Sequence, residues 1–404
     1  MALVPGSGPQ PADRRARAAV AAMFLTNGAL FANLVPRYPE IKDALGLDNT
    51  VYGLAVAAFP AGAIIAGLGA GFMVRRIGSA QAAVVGTILT GLGVLAAGLA
   101  PSFGILVLAL LLGGAMDALT DVAQNAHGLR VQRRYGRSII NSFHAVWSIG
   151  AVLGGSMAAG AIALGLPLGV HLGISTAIFA LVALVALRFR LPGRDGDAED
   201  DPAGTRAAAA LRGVALSPRT VLIISALVLI AVGGALVEDA GSSWATLYLS
   251  SSLGAPAALA ASGFVALVGA QFVGRILGDR MVDRFGQRMV ARGGGVVIAL
   301  GMGLALAFPS VPGTILGFAA VGLGSATLVP AAMHEADELP GLRAGTGLTI
   351  VSWLMRLGFL ASPPLVGMVA DAVGLRYGLL VVPLAGLLVV VLAGVLQRRA
   401  RSTS

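Results

Sequence analysis

The sequence predicts an all-α membrane protein whose twelve spanning helices form two pseudo-symmetric six-helix halves. Three observations predict it: an apolar composition, a succession of apolar segments of spanning length, and basic residues that fall on one side of them. The chain of 404 residues is 57% hydrophobic and 12% charged. Ordinary soluble domains carry about 25% charged residues, so a soluble chain of this composition could not cover its surface with polar groups. In a bilayer the solvent is itself apolar and the difficulty disappears.

A spanning helix needs about 20 predominantly apolar residues. Segments meeting that length lie at 18–36, 51–74, 80–100, 103–126, 139–164 and 168–188 in the first half. In the second they lie at 220–249, 257–279, 289–308, 312–333, 345–369 and 377–397. The N-terminal tail is polar and ends in Arg14, Arg15 and Arg17. The first apolar run is not clearly followed by a small-residue cleavage site, so it reads as a retained span with the N-terminus held inside.

Charge tests the count. With the N-terminus inside, the inner loops and helix ends hold Arg75, Arg76, Arg130, Arg133, Arg134, Arg137, Arg188, Arg190, Arg194, Arg206, Arg212 and Arg219. They also hold Arg280, Arg284, Arg288, Arg292, Arg343 and the tail residues Arg398, Arg399 and Arg401. The outer loops hold only Arg37, Lys42 and Arg376. Missing one span in the middle would invert every later loop and erase this asymmetry. An even count follows, with both termini cytoplasmic and the plasma membrane as the location. The net charge of +9 is thereby explained by topology. No aromatic-basic motif of the nucleic-acid binders accompanies it, and no nucleic acid is expected as a partner.

The longest connection, 191–218, carries Pro, Gly, Arg and an acidic run from Asp195 to Asp201. It reads as a cytoplasmic linker. The organisation expected is therefore a tail over 1–17, a six-helix half over 18–190, the linker, a second half over 219–397 and a tail over 398–404. The halves repeat weakly: Met73-Val74-x-Arg76-x-Gly78 returns as Met281-Val282-x-Arg284-x-Gly286, each after the second span of its half. Paired halves with a substrate site at mid-membrane are the architecture of many secondary transporters.

These Gly–basic loops resemble the signature loop of the major facilitator superfamily, Gly-x-x-x-Asp-Arg-x-Gly-Arg-Arg. The second copy matches better, with Asp283-Arg284-Phe285-Gly286-Gln287-Arg288 and its leading Gly displaced to Gly278 beside Asp279. The first keeps Gly71, Arg76 and Gly78 but has Arg75 in place of the acid. Further pieces follow in order: Val35-Pro36-Arg37-Tyr38-Pro39-Glu40 after the first span and Asp121-Val122-Ala123-Gln124-Asn125 on the fourth. The fifth opens with Ser142-Phe143-His144-Ala145-Val146-Trp147-Ser148, and the seventh carries Glu238-Asp239-Ala240. Then come Gly274-Arg275-Ile276-Leu277-Gly278-Asp279-Arg280, Leu339-Pro340-Gly341 and Ser362-Pro363-Pro364. The ordered set resembles the YbjJ-like group related to fucose permease. That resemblance implies the major facilitator fold, a small-molecule substrate, monomeric action, and a cytoplasmic latch at Gly71, Arg76, Gly78, Asp279, Asp283, Arg284 and Gly286. It also implies proton coupling by an acid followed four residues later by Asn, matched here by Asp121 and Asn125. The second acid of that pattern, in the first span, has no match; Ala32 and Asn33 stand there.

Ionisable residues inside spans are costly and are functional candidates for that reason. Asp117 and Asp121, four apart, share a helix face with Asn125 one turn on. A carboxyl that gains and loses a proton is the simplest coupling device, although Asp121 could equally serve a loop Arg. Glu238 is a further proton candidate, and Arg356 either pairs with Glu238 or holds an anionic solute. Asn27, Asn33, Asn141, His144 and Trp244 complete the candidate solute contacts, with helix-to-helix bonding or packing as their alternative roles. His334-Glu335-x-Asp337-Glu338 reads as a solvated helix end or a latch to Arg343, since no second His stands at ligand spacing.

Enzyme chemistry finds no support. There is no Cys, no metal quartet and no cofactor loop, and Ser142 and His144 face apart on a helix. No ATP-binding Gly-rich loop is present either. The expectation is a secondary carrier driven by protons, without cofactor or resident metal. Uptake of a sugar-like or other small polar solute is favoured over drug or metabolite efflux, with a transporter-like sensor as a third possibility.

Overall fold

Among the described residues, twelve helical segments are long and apolar enough to cross a membrane. The computed structural model describes residues 10–136, 138–191, 217–339, 342 and 345–397; Arg137, the linker residues 192–216, Pro340, Gly341, Arg343 and the tail from 398 lie outside the described residues. All regular structure among them is helical.

The first six spans comprise α1 (Pro11–Leu34) with a 3-10 turn (Val35–Arg37) and α2 (Tyr38–Ala44), α3 (Asn49–Ile77), α4 (Ser79–Gly98), α5 (Phe103–Tyr135), α6 (Ile140–Ala163) and α7 (Leu168–Arg188). The later spans comprise α8 (Pro218–Leu247), α9 (Ala257–Phe285), α10 (Gln287–Ala307), α11 (Val311–Ser325), α12 (Leu328–Asp337), α13 (Thr346–Leu354), α14 (Arg356–Val373), α15 (Leu375–Gly378) and α16 (Val381–Leu392).

Several helices outrun their apolar segments. α1 begins at Pro11, because the polar turn around Arg14 and Arg15 continues the helix and buried Asp13 pairs with Arg134 at 2.9 Å. α5 runs on to Tyr135 and stops at Gly136, whose φ of 67° closes the helix in the left-handed conformation. Arg133 and Arg134 fill its last turn, where a cation suits the helix dipole. Polar ends of this kind are invisible to a hydropathy criterion. Two later spans are interrupted, at Ala326–Thr327 and at Met355, and α8 ends in a π turn over Tyr248–Ser252.

The described residues divide into two compact units. The first draws on the described residues of 10–34, Ala61–Ala161 and 165–191. In it α1 packs on α4, α5 and α7, and α4 on α5 and α7. Glycines bring α1 and α6 together: a methyl on Gly28 would overlap the Trp147 carbonyl, and one on Gly154 the Ala29 carbonyl. Phe24 stacks on Phe143 at 5.4 Å beside Val20, Val131 and Ile139.

The second unit draws on Val35–Pro60, Ile162–Leu164 and the described residues of 217–397. In it α8 packs on α14 and α16, α9 on α11, and α10 on α11 and α16. Val35–Pro60 follows α1 in the chain but packs within this unit. The division inside α3 falls at Pro60, a residue that removes one helical hydrogen bond and bends a helix.

Candidate functional site

A polar cluster is built inside the first unit from α1, α5 and α6. Asn27 is buried at its centre. Its Nδ2 donates to Asp117 Oδ1 at 2.7 Å, and its Oδ1 accepts from Trp147 Nε1 at 2.8 Å. Gln124 Nε2 also reaches Asn27 Oδ1 at 3.4 Å and Asp121 Oδ1 at 3.5 Å. Asn125 Nδ2 donates to the Asp121 backbone carbonyl at 2.9 Å and to its Oδ1 at 3.0 Å. The geometry has a simple origin. The spacing along α5 puts Asp117, Asp121 and Gln124 or Asn125 on successive turns. Gly28 and Gly154 then let α6 approach α1 closely enough for the indole N–H of Trp147 to reach Asn27.

The cluster holds two carboxyls among amide donors. Asp117 is half-buried and Asp121 exposed. Among the described residues no cation pairs with Asp117, and its hydrogen-bond partner is the Asn27 amide. Such a group can hold a proton or accept a hydrogen bond from a solute hydroxyl. The amides and the indole offer donors, acceptors and a flat apolar face, the combination that polar ring compounds require.

The other first-unit candidates are placed differently. His144 is exposed and sets its ring edge-on to Phe24 at 5.2 Å, and Asn141 is exposed. Asn33 is fully buried; its Nδ2 donates to the Ala29 carbonyl at 2.8 Å and its Oδ1 meets His171 Nε2 at 2.8 Å.

In the second unit Glu238 lies 3.9 Å from Arg275. The Glu238–Arg356 pairing open in the sequence is thus replaced by one to α9, which packs directly on α8. Arg356 is the first residue of α14, beside the interruption at Met355, and its buried Nε has no hydrogen-bond partner among the described residues. Trp244 is fully buried, with its ring edge-to-face on Tyr52 at 4.9 Å. Tyr52 in turn meets Tyr38 at 5.9 Å and donates its hydroxyl to the Ser243 carbonyl at 2.7 Å. Close by, Asp371 of α14 caps the start of α3. Its carboxylate accepts from Asn49 N and Nδ2 at 3.0 and 2.8 Å, and from Thr50 N and Oγ1 at 2.7 and 2.6 Å.

The two Gly–basic loops share one backbone device. Gly78 and Gly286, with φ of 90° and 82°, turn the chain between consecutive helices. Gly78 N donates to the Val74 carbonyl and Gly286 N to that of Val282. Arg288 Nε ties its loop to the end of the last span by donating to the Leu396 carbonyl at 2.8 Å. Gly71 is half-buried, whereas Arg76, Asp279, Asp283 and Arg284 are exposed, with the Arg284 guanidinium 5.4 Å from the Phe285 ring. In the acidic stretch near α12, His334 approaches Glu338 at 3.8 Å and Glu335 accepts from Gln397 N at 2.9 Å. Asp337 there accepts from Gly345 N at 2.8 Å, while Arg343 lies outside the described residues.

The family model described as Major Facilitator Superfamily matches residues 20–281 and 243–404. The chain belongs to the Major Facilitator Superfamily. Curated relatives include the membrane protein MosC of Rhizobium meliloti, 28% identical with 93% of this chain and 89% of the relative covered. An uncharacterized transporter of Sinorhizobium fredii is 29% identical over 90% of this chain and 94% of its own. An uncharacterized MFS-type transporter of Yersinia pestis is 25% identical over 95% and 94%. Among solved structures, the nucleoside transporter NupG superposes with a TM-score of 0.73 at 13% identity, covering 95% of this chain and 98% of NupG. A D-xylose-proton symporter gives 0.65 at 17%, with 94% and 96% covered. The outward conformation of FucP gives 0.60 at 18%, with 94% and 97% covered. The chain is accordingly a membrane transporter of this superfamily rather than an enzyme.

Proposed function

We propose that this superfamily member takes up a small polar solute, of the size and hydroxyl content of a sugar or nucleoside, together with protons. Transport proceeds by alternating access of a mid-membrane site, with both chain termini on the cytoplasmic side. The observation that carries the reading is the 2.7 Å bond from Asn27 to Asp117, inside a cluster that also holds Trp147, Gln124, Asp121 and Asn125. A carboxyl held by an amide rather than by a cation exchanges a proton without breaking an ion pair. Asp117 and Asp121 carry the coupling proton in this scheme, while Asn27, Asn125 and Trp147 face the solute. The solved relatives named as transporters of nucleosides and D-xylose are consistent with such a solute.

The test is flux in proteoliposomes, with pentoses, deoxyhexoses and nucleosides offered under an inward acid gradient. Gradient-driven accumulation is expected for the intact chain. It is expected to be lost in Asp121→Asn and Asp117→Asn, with exchange of labelled for unlabelled solute retained. Accumulation that persists in both variants sinks the assignment, and exit driven by the same gradient would reassign the carrier to efflux.

A further inference from the structure

We infer that Asp239 is a second proton-carrying carboxyl, which keeps its proton while Val35–Pro60 is packed on α8 and gives it up when that packing opens. This rests on the reading of the chain as a proton-driven carrier. Adjacent Glu238 is occupied by Arg275 on the neighbouring helix. Asp239 points elsewhere, because residues one apart on a helix face different directions. It lies beside Tyr38 and Tyr52 from the first two spans. The hydroxyls of Ser243 and Ser362 line it from α8 and α14. Its Oδ2 is buried with no hydrogen-bond partner among the described residues.

The charged groups on the elements packed around it are engaged elsewhere or act at a distance. Arg37 grips Glu40 at 2.6–2.7 Å, and Arg275 faces Glu238. Arg356 starts α14 nearly two turns before Ser362. His334 and Glu335, on α12, interact with Glu338 and Gln397. No cation among the described residues forms an ion pair with Asp239.

Two aromatic rings and two hydroxyls suit a neutral acid. An ionised carboxylate left there without a cation is costly within a bilayer. Water, admitted when Tyr38 and Tyr52 move away, removes that cost. Proton loss from Asp239 and separation of Val35–Pro60 from α8 therefore favour each other.

The chain has no cysteine, which gives a background-free test. Val56, one turn after Tyr52 on the same helix face, is 3% exposed. A Val56→Cys variant in nanodiscs is labelled with a charged thiol reagent between pH 5 and 8, and its rate divided by that of an exposed reference, Ala44→Cys. The ratio removes the titration of the thiol. With Asp239 intact the ratio rises with pH, on the order of tenfold per unit while the open form is the minority, as linkage to one proton requires. In Asp239→Asn it stays low and flat; in Asp239→Glu the rise returns. Should Asp239→Asn fail to fold, Asp239→Ser removes the carboxyl and leaves a hydroxyl in its place, with the same flat profile expected. A rise that persists without the carboxyl overturns the inference. Asp117→Asn is expected to keep the rise. Failure of the Asp117–Asp121 assignment appears instead as unchanged gradient-driven flux in those variants, so the two readings fail separately.

Discussion

Replacing Asn27 by Ala removes the amide on which the polar cluster of the first unit converges. Asn27 donates to Asp117 at 2.7 Å and accepts from Trp147 at 2.8 Å, with a weaker contact from Gln124 at 3.4 Å. A neutral hydrogen bond contributes about 1 kcal/mol net and one to a charged group about 1.5–3 kcal/mol. An orphaned buried N–H costs a further 1–3 kcal/mol or so. Asp117 is only half-buried, so water replaces part of what its carboxyl loses. The expected destabilisation is about 2–4 kcal/mol, read from unfolding in mixed micelles titrated with SDS. The pair term is isolated by a double-mutant cycle with Trp147→Phe, which keeps an aromatic ring of smaller size and deletes the donor. A coupling of about 1 kcal/mol is expected between the two sites. Additivity within about 0.3 kcal/mol would refute the hydrogen-bonded cluster, because two residues without a shared bond act independently.

Other outcomes follow from the same contacts. Gly154→Leu drives a side chain into the Ala29 carbonyl, so expression and thermal stability in detergent should fall sharply. Gly160→Leu on the same helix meets open space and should behave as the parent. Asp371→Ala removes the four-contact cap on α3 at about 1 kcal/mol for an exposed cap. That is close to a fivefold rise in labelling of Val56→Cys at fixed pH, and an unchanged rate would show that the cap contributes nothing to the packing. Arg275→Gln frees Glu238 but leaves the surroundings of Asp239 in place. Leaving the adjacent Glu238 charge unpaired should nevertheless displace the pH profile of that labelling, whereas an unmoved profile would mean that the two acids act independently.

The legibility of this protein in its sequence follows the range of the forces involved. Span number and helical class were readable because burial in lipid is scored residue by residue along the chain, and the superfamily through the resemblance carried by the Gly–basic loops and the ordered motifs. The Gly–basic loop was readable because Gly78 and Gly286 must each adopt a positive φ, a local demand that almost only glycine meets cheaply. The pairing of Asp121 with Asn125 was likewise a matter of helical spacing. Helix ends were less legible: Asp13 and Arg134 extend α1 and α5 beyond their apolar segments by meeting across more than a hundred residues.

The partners within each cluster were decided by tertiary structure alone. Asn27 and Asn33 look alike on the first span, yet one faces Asp117 and Trp147 while the other is occupied by His171. Glu238 and Asp239 are neighbours of the same chemistry, and only helix packing gives the first an arginine and the second two tyrosines. Gln124 and Asp371 acquire their significance from residues 97 and 322 positions away. The sequence by itself determined that acids and amides lie within the membrane, because hydropathy is additive along the chain. Which acid meets a cation and which meets tyrosines depends on side-chain contacts between helices, which no local pattern encodes.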